Sequence, residues 1–297
     1  MTRNSAGTRR EVIFHGLIEP FALGFMRRAL AGCMALSLAG PPLGVLLVLR
    51  RMSLTSDVLQ HGILPGVALG ALFGGLSLLA MGLGGVLAGL AVALLAGWLA
   101  RASGGREDSQ LAGVFLVALA LGVAIVSATR GVDLAHLLFG SVLAVDDAAL
   151  FLMAGAASVS LLGLAVIWRP LVLESFDPGF MRAVGGHGGV WHLAFMGLVV
   201  LCVVGGFAAL GTLMSVGLMM LPAVAARHFS ADLPGQVRAS VALALLSSLA
   251  GLLLSYHADV PAGPAIVLSA GALWAGGLLA GPRDSFRARV WRPHYRG

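Results

Sequence analysis

The chain has 297 residues, of which 59% are hydrophobic and 11% charged, with a mean hydropathy of +0.96. A soluble domain is about 25% charged, and its surface needs polar residues that a run of nearly uncharged segments does not leave; the pattern is that of a helical membrane protein. All 19 basic residues are arginine. A phosphate-binding P-loop needs a lysine, so the chain is not itself a P-loop ATPase. The net charge of +6 resides in arginines that punctuate apolar runs or cluster at the ends, which fits membrane topology and argues against nucleic acid.

In chain order, residues 1–28 read as an N-terminal arm: a polar start over 1–11, then an interfacial helix over 12–27 ("VIFHGLIEPFALGFMR"). No cleavable signal peptide is expected, because Glu19, Pro20, Arg27 and Arg28 interrupt the first apolar stretch, which runs on into a full span. Residues 29–281 read as one transmembrane domain, all-α and polytopic, with about 8–9 transmembrane helices. The spans fall near 29–49, 57–79, 82–100, 111–128, 148–168, 190–209, 211–226, 238–255 and 264–281. The segment 132–145 ("VDLAHLLFGSVLAV") is apolar but too short to cross, so a re-entrant or lateral helix is expected. Residues 282–297 form an Arg-rich cytoplasmic tail.

With the loop 169–189 placed in the cytoplasm, alternation through nine spans puts Arg50, Arg51, Arg101, Arg106, Arg169, Arg182, Arg227, Arg238 and the tail inside. Arg130 falls outside, and so do Arg3, Arg9, Arg10, Arg27 and Arg28 of the N-terminal arm, which departs from the positive-inside rule: either one span is miscounted or that segment folds back. Arg50 and Arg51 read as headgroup anchors at a helix end. Cys33 and Cys202 lie inside apolar runs without a CxxC spacing and read as small core residues. Runs such as "MGLGGVLAGL" place small residues at helical spacing, suited to close helix packing.

The second span opens with "TSDVLQHGILPG", in which Asp57 and His61 stand four residues apart. On a helix they share a face. An Asp at the centre of a bilayer helix costs about 2.5–3.5 kcal/mol, so it implies a partner or a ligand. Carboxylate oxygen plus imidazole nitrogen makes half of a divalent-metal site, and a second copy of the chain about a two-fold axis would supply the other half. The competing reading is structural: Asp57 caps the helix, and His61 bonds the backbone. Pro65 and Gly66 bend or break the helix just beyond. Asp133 and His136, three apart on the outer side, are candidates for an outer gate or for simple pairing. His257 and Asp259 read as solvated loop residues. Asp146 and Asp147 read either as cation-attracting charges or as a cap on the next helix. His187, His192 and His228 carry no assigned role.

The stretch "LLVLRRMSLTSDVLQHGILPGVALG" (46–70) resembles the membrane subunit of metal-ion ATP-binding cassette (ABC) importers. Four further stretches match in order: "HLLFGSVLAV" (136–145), "FDPGFMRAVG" (176–185), "ALGTLMSVGLMMLPAVAAR" (209–227) and "GLLLSYHADVPAGPAIVL" (251–268). Together they cover roughly residues 20–281. The resemblance implies a type II ABC importer-like fold, with Asp57 and His61 as ligands of the transported ion. In the 169–189 loop Pro170, Asp177, Pro178 and Gly185 read as helix boundaries, and the Asp-Pro start and Gly stop of "DPGFMRAVG" read as a short helix; the resemblance makes "FDPGFMRAVG" the coupling helix that docks on the ATPase, with Asp177, Pro178, Arg182 and Gly185 as its marks. Ser56, Val58, Gln60 and Gly62 depart from the family pattern beside the site, and Met181 departs within the coupling segment.

The resulting expectation is a permease subunit in the cell inner (plasma) membrane that imports zinc or manganese, or else iron. It is not an enzyme and holds no permanent cofactor. Its partners are a separate ABC ATPase, an extracytoplasmic metal-binding protein, a second copy of itself and the lipid bilayer. Three alternatives stand beside it. One is a proton-coupled secondary transporter with Asp57 and His61 as a relay. The others are a non-transporting scaffold and an ABC permease for a non-metal substrate.

Overall fold

A chain segment in lipid must satisfy its own backbone, which a helix does by pairing each N–H with the carbonyl four residues back. The computed structural model describes residues 19–75, 77–104, 107–128, 145–183, 188–283 and 285–286, and all regular structure among them is helical. A short 3₁₀ turn, Glu19–Ala22, precedes eleven α-helices. These are α1 (Gly24–Leu49), α2 (Thr55–Gly62), α3 (Leu64–Gly74), α4 (Leu78–Ser103), α5 (Glu107–Ala128) and α6 (Asp147–Phe176). They continue as α7 (Pro178–Ala183), α8 (Gly188–Leu210), α9 (Thr212–Ala226), α10 (Leu233–Ala258) and α11 (Ala262–Ala280).

Seven of these helices are long and apolar enough to cross a membrane, among the described residues. That is fewer than the eight or nine expected, for two reasons. The apolar run at 57–79 divides into α2 and α3 at Ile63, where Pro65 sits in the first turn of α3 and withholds the N–H that would continue the ladder. The 211–226 run is a helix of 15 residues, about 22 Å long against a hydrocarbon core of about 30 Å. Gly211 at φ 85° makes the sharp turn before it, so α9 folds back along α8 and the Ser215 hydroxyl reaches the carbonyl of Val203. Part of the 132–145 segment, with Asp133 and His136, lies outside the described residues.

The core forms around α1, which packs on α6, α8, α9 and α10. Of its apolar window 72% is buried, against 17% for α5, which places α1 at the centre and α5 at the edge. Cys33 and Cys202 are both buried and free, as core residues should be. A second cluster joins α3, α4 and α5; there Gly66 and Gly84 bring the α3 and α4 backbones into direct contact. α1 and α6 run parallel. Near their starts Arg28 lies 3.6 Å from Asp147, and at their ends Arg50 lies 2.9 Å from Glu174. Arg28 therefore sits at the end of the bundle opposite Arg50, as the alternation of spans requires. α6 also runs on through Pro170 to Phe176, so the first part of the 169–189 loop is helix. The donor that Pro170 removes would have served Val166, on an exposed face of α6.

Candidate functional site

The turn before α2 sets its position. Arg51 adopts φ 60°, Met52 N–H donates to the Leu47 carbonyl at 2.9 Å and Arg51 N–H to Val48 at 3.1 Å. This is the Schellman closure of a helix, with arginine where glycine is usual. It turns the chain directly into α2. Asp57 lies in the first turn of α2 and His61 in its last. The N-cap residue is Leu54, with no side-chain cap bond, so the carboxylate of Asp57 is not engaged as a helix cap. Its Oδ1 lies 3.7 Å from His61 Nε2, the two side chains being 59% and 31% exposed in the single chain. Phe115 of α5 stands beside the imidazole, with ring centroids 6.0 Å apart.

α4, α5, α8 and α9 surround α2. The face turned into them carries Thr55, Ser56, Leu59 and Gln60, all buried. Thr55 Oγ1, Ser56 Oγ and Gln60 Oε1 have no hydrogen-bond partner there. Sequence reasoning marked Ser56 and Gln60 only as departures from a pattern; their polarity at the i, i+4 spacing next to the Asp57–His61 face was the signal available. No group of three or more His, Cys, Asp or Glu side chains is poised for a metal among the described residues. Among the described residues, the accessible face of α2 carries two side chains of metal-ligating type, Asp57 and His61.

At the far end of α6, Asp177 accepts a hydrogen bond from Phe180 N–H at 2.8 Å and so caps α7, the short helix expected from the Asp-Pro start. Pro178 and Arg182 belong to α7, and Gly185 lies outside the described residues. Met181 is buried, whereas Phe176 and Phe180 are 65% and 53% exposed.

The sequence profile of the ABC 3 transport family matches residues 22–280. The chain belongs to that family. It is 31% identical over 270 residues to "Manganese transport system membrane protein MntC" of Halalkalibacterium halodurans, covering 90% of this chain and 91% of the relative. It is 28% identical to a "Probable iron transport system membrane protein" of Haemophilus influenzae, covering 86% of this chain and 93% of the relative. Among solved structures, "PsaBC from Streptococcus pneumoniae in complex with Fab" is 27% identical with a TM-score of 0.81, covering 94% of this chain and 99% of that one. As a member of the ABC 3 transport family with seven apolar helices of spanning length, the chain is a multi-pass protein of the plasma membrane.

This family member also contains a charged node that the sequence did not reveal. Arg50 is not a headgroup anchor: its side chain is 10% exposed and pairs with Glu174, itself 16% exposed. Arg50 Nε donates to Ser175 Oγ at 2.9 Å, and Nη2 donates to Glu174 Oε2 at 2.9 Å and to the Leu171 carbonyl at 3.3 Å. Nη1 lies 2.8 Å from His192 Nδ1. Guanidinium nitrogen only donates, so Nδ1 is the acceptor and carries no proton. The guanidinium carbon also stands 5.3 Å from the centroid of the buried Phe195 ring. Arg51, by contrast, stays exposed. Elsewhere Asp146 caps α6 through Ala149 N–H at 2.7 Å, and His257 and Asp259 are exposed at the end of α10.

Proposed function

We propose that this chain is the membrane-spanning permease subunit of an ABC importer that carries a divalent metal ion, manganese before zinc or iron, into the cytoplasm. The observation that carries this is the Asp57–His61 pair: two hard-to-borderline ligands on one face of α2, half open in the single chain. A carboxylate facing lipid at the centre of a bilayer would cost about 2.5–3.5 kcal/mol, so such a face needs water, an ion or protein. A second copy about a two-fold axis would bring two carboxylates and two imidazoles together, a donor set that suits manganese, zinc or iron. The manganese-named relative weights the choice within that set. The metal is cargo, and the site must release it as readily as it takes it. Binding needs ionised Asp57 and neutral His61, so acidification weakens it.

ATP hydrolysis belongs to a separate subunit in this reading. α7 is the surface for it: Asp177 fixes the helix, Phe180 projects from it, and Arg182 and Gly185 fall in the same segment. Residues 29–281 act as the transport unit, and an extracytoplasmic binding protein delivers the ion at the opposite end; Asp133 and His136, the gate candidates of the sequence, lie outside the described residues. A proton-coupled transporter would use the same pair as a relay but would run without an ATPase.

The test is radiolabelled manganese and zinc uptake in cells expressing the chain with its ATPase, comparing wild type, Asp57→Ala and His61→Ala at matched expression. Both variants should lose uptake while the ATPase still co-purifies. Undiminished uptake in either would remove that residue from the site, and uptake without the ATPase would favour the proton-coupled reading.

A further inference from the structure

Arg50 joins three elements that local sequence keeps apart. Its backbone ends α1 and enters the turn to α2, its guanidinium holds the last turn of α6, and the same group holds the first turn of α8. α6 packs on α1 and α8, so the path from its C-terminal end to α2 runs through the helix ends that Arg50 binds. Glu174 lies three residues before Asp177, the cap of α7, and Arg50 lies five residues before the start of α2. The route from α7 to Asp57 is therefore a few residues of chain on each side of one ion pair. A buried ion pair adds little net stability over well-packed apolar residues, and its best-attested use is to fix one geometry among alternatives. A fork with its donors matched to four separate acceptors is a specific lock of this kind. Beside the node a cleft of about 380 Å³ opens between α4 and α8, lined by Arg101, Gly189, His192, Leu193 and Met196. The start of α8 thus borders open space on that side in the single chain.

We propose that Arg50 is a positioning residue that transmits movement of α7 to the Asp57–His61 site. This rests on the reading of α7 as the ATPase-facing helix. A rigid tie between α6, α8 and the root of α2 makes displacement of α7 re-aim α2; with the tie cut, the ATPase turns over and the metal site does not follow.

The experiment uses the chain assembled with its ATPase in proteoliposomes, with the metal-binding protein outside, and reads manganese uptake and phosphate release from the same vesicles. Arg50→Gln should lower manganese moved per ATP by about fivefold or more while the ATPase stays bound. Glu174→Gln should lower it less, and the double variant should be no worse than Arg50→Gln alone, because both cut one connection. A purely structural role predicts that uptake and hydrolysis fall together with assembly, at constant ratio; that result overturns the proposal. If Arg50→Gln does not assemble, Arg50→Lys, which keeps the charge and loses the fork, decides by the same ratio. Two controls separate the inference from its foundation: Asp57→Ala should abolish uptake, and Phe180→Asp should release the ATPase. If both do so and Arg50→Gln keeps the wild-type ratio, the inference alone fails; if the controls behave as wild type, the reading of the site fails and the inference with it.

Discussion

Gly66→Ala should destabilise the chain and impair transport, although alanine is the better helix former. A Cβ at Gly66 would collide with the Gly84 carbonyl oxygen and stand 2.6 Å from the Gly84 carbonyl carbon and 2.5 Å from Ala88 Cβ. Carbon atoms in contact prefer about 3.5–4.0 Å, so α3 would have to retreat from α4 by about 1 Å. The obstacle is backbone, which cannot swing aside as a side-chain tip does. Overpacking of this kind costs about 1–3 kcal/mol, and the upper half of that range applies because a whole helix must move. Gly155 is the internal control: it too is helical, but a Cβ there meets nothing within 4 Å. Gly155→Ala should gain about 0.5–1 kcal/mol from propensity alone. At about 2–4 °C per kcal/mol, the two variants should melt about 5 °C or more apart in detergent, followed by intrinsic fluorescence. Because α3 continues from α2 across Ile63 alone, its retreat should drag His61 and lower metal uptake as well. Equal melting temperatures for the two alanine variants would refute the close approach of α3 and α4 and the reasoning built on it.

Ser56→Ala should leave stability unchanged or raise it, since Ser56 Oγ is buried without a partner and its removal relieves an unmet desolvation cost; a fall in melting temperature or uptake would show that the hydroxyl is used. Asp232, the cap of α10, accepts from Ser230 Oγ at 2.7 Å and Gly235 N–H at 2.9 Å, and these bonds hold its carboxyl below its ordinary value. A depressed carboxyl contributes fully above the ordinary carboxylate range and loses its contribution as pH falls through the lowered value. The exchange protection of the Gly235 amide, relative to Asp232→Ala, should therefore stay constant through neutral pH and vanish only in acid below that range; loss at higher pH would contradict the assignment.

The helical class was legible because hydropathy is a local property, and so were two smaller features. The i, i+4 spacing put Asp57 and His61 on one face of α2, and the Asp-Pro pair announced α7 with its capped start. In the sequence Pro65 reads as bending or breaking the run, and it does divide α2 from α3; the miss lies in counting the divided run as one span. Pro170 erred the other way: it looked like a boundary, yet α6 passes through it. Arg50 was misread because its ionic partner stands 124 residues along the chain.

Arg50 and Asp57 are seven residues apart, and both read as lone charges beside a span; the fold treats them in opposite ways. Arg50 meets a carboxylate, a hydroxyl, a carbonyl and an imidazole, all supplied by its own chain. A charge satisfied in this way asks for nothing from outside, and its effect is to hold elements in register. Asp57 has one histidine at 3.7 Å and a side chain more than half exposed. Within a membrane protein such a charge is tolerable only if water, an ion or another subunit completes its surroundings. In the proposed reading the division of labour follows from partner supply rather than from residue type: the saturated charge positions, and the unsaturated one receives. Only a short turn, with Arg51 in its left-handed conformation, and the first residues of α2 separate the two in sequence, which is why the proposed coupling places Arg50 at the root of the helix that carries Asp57.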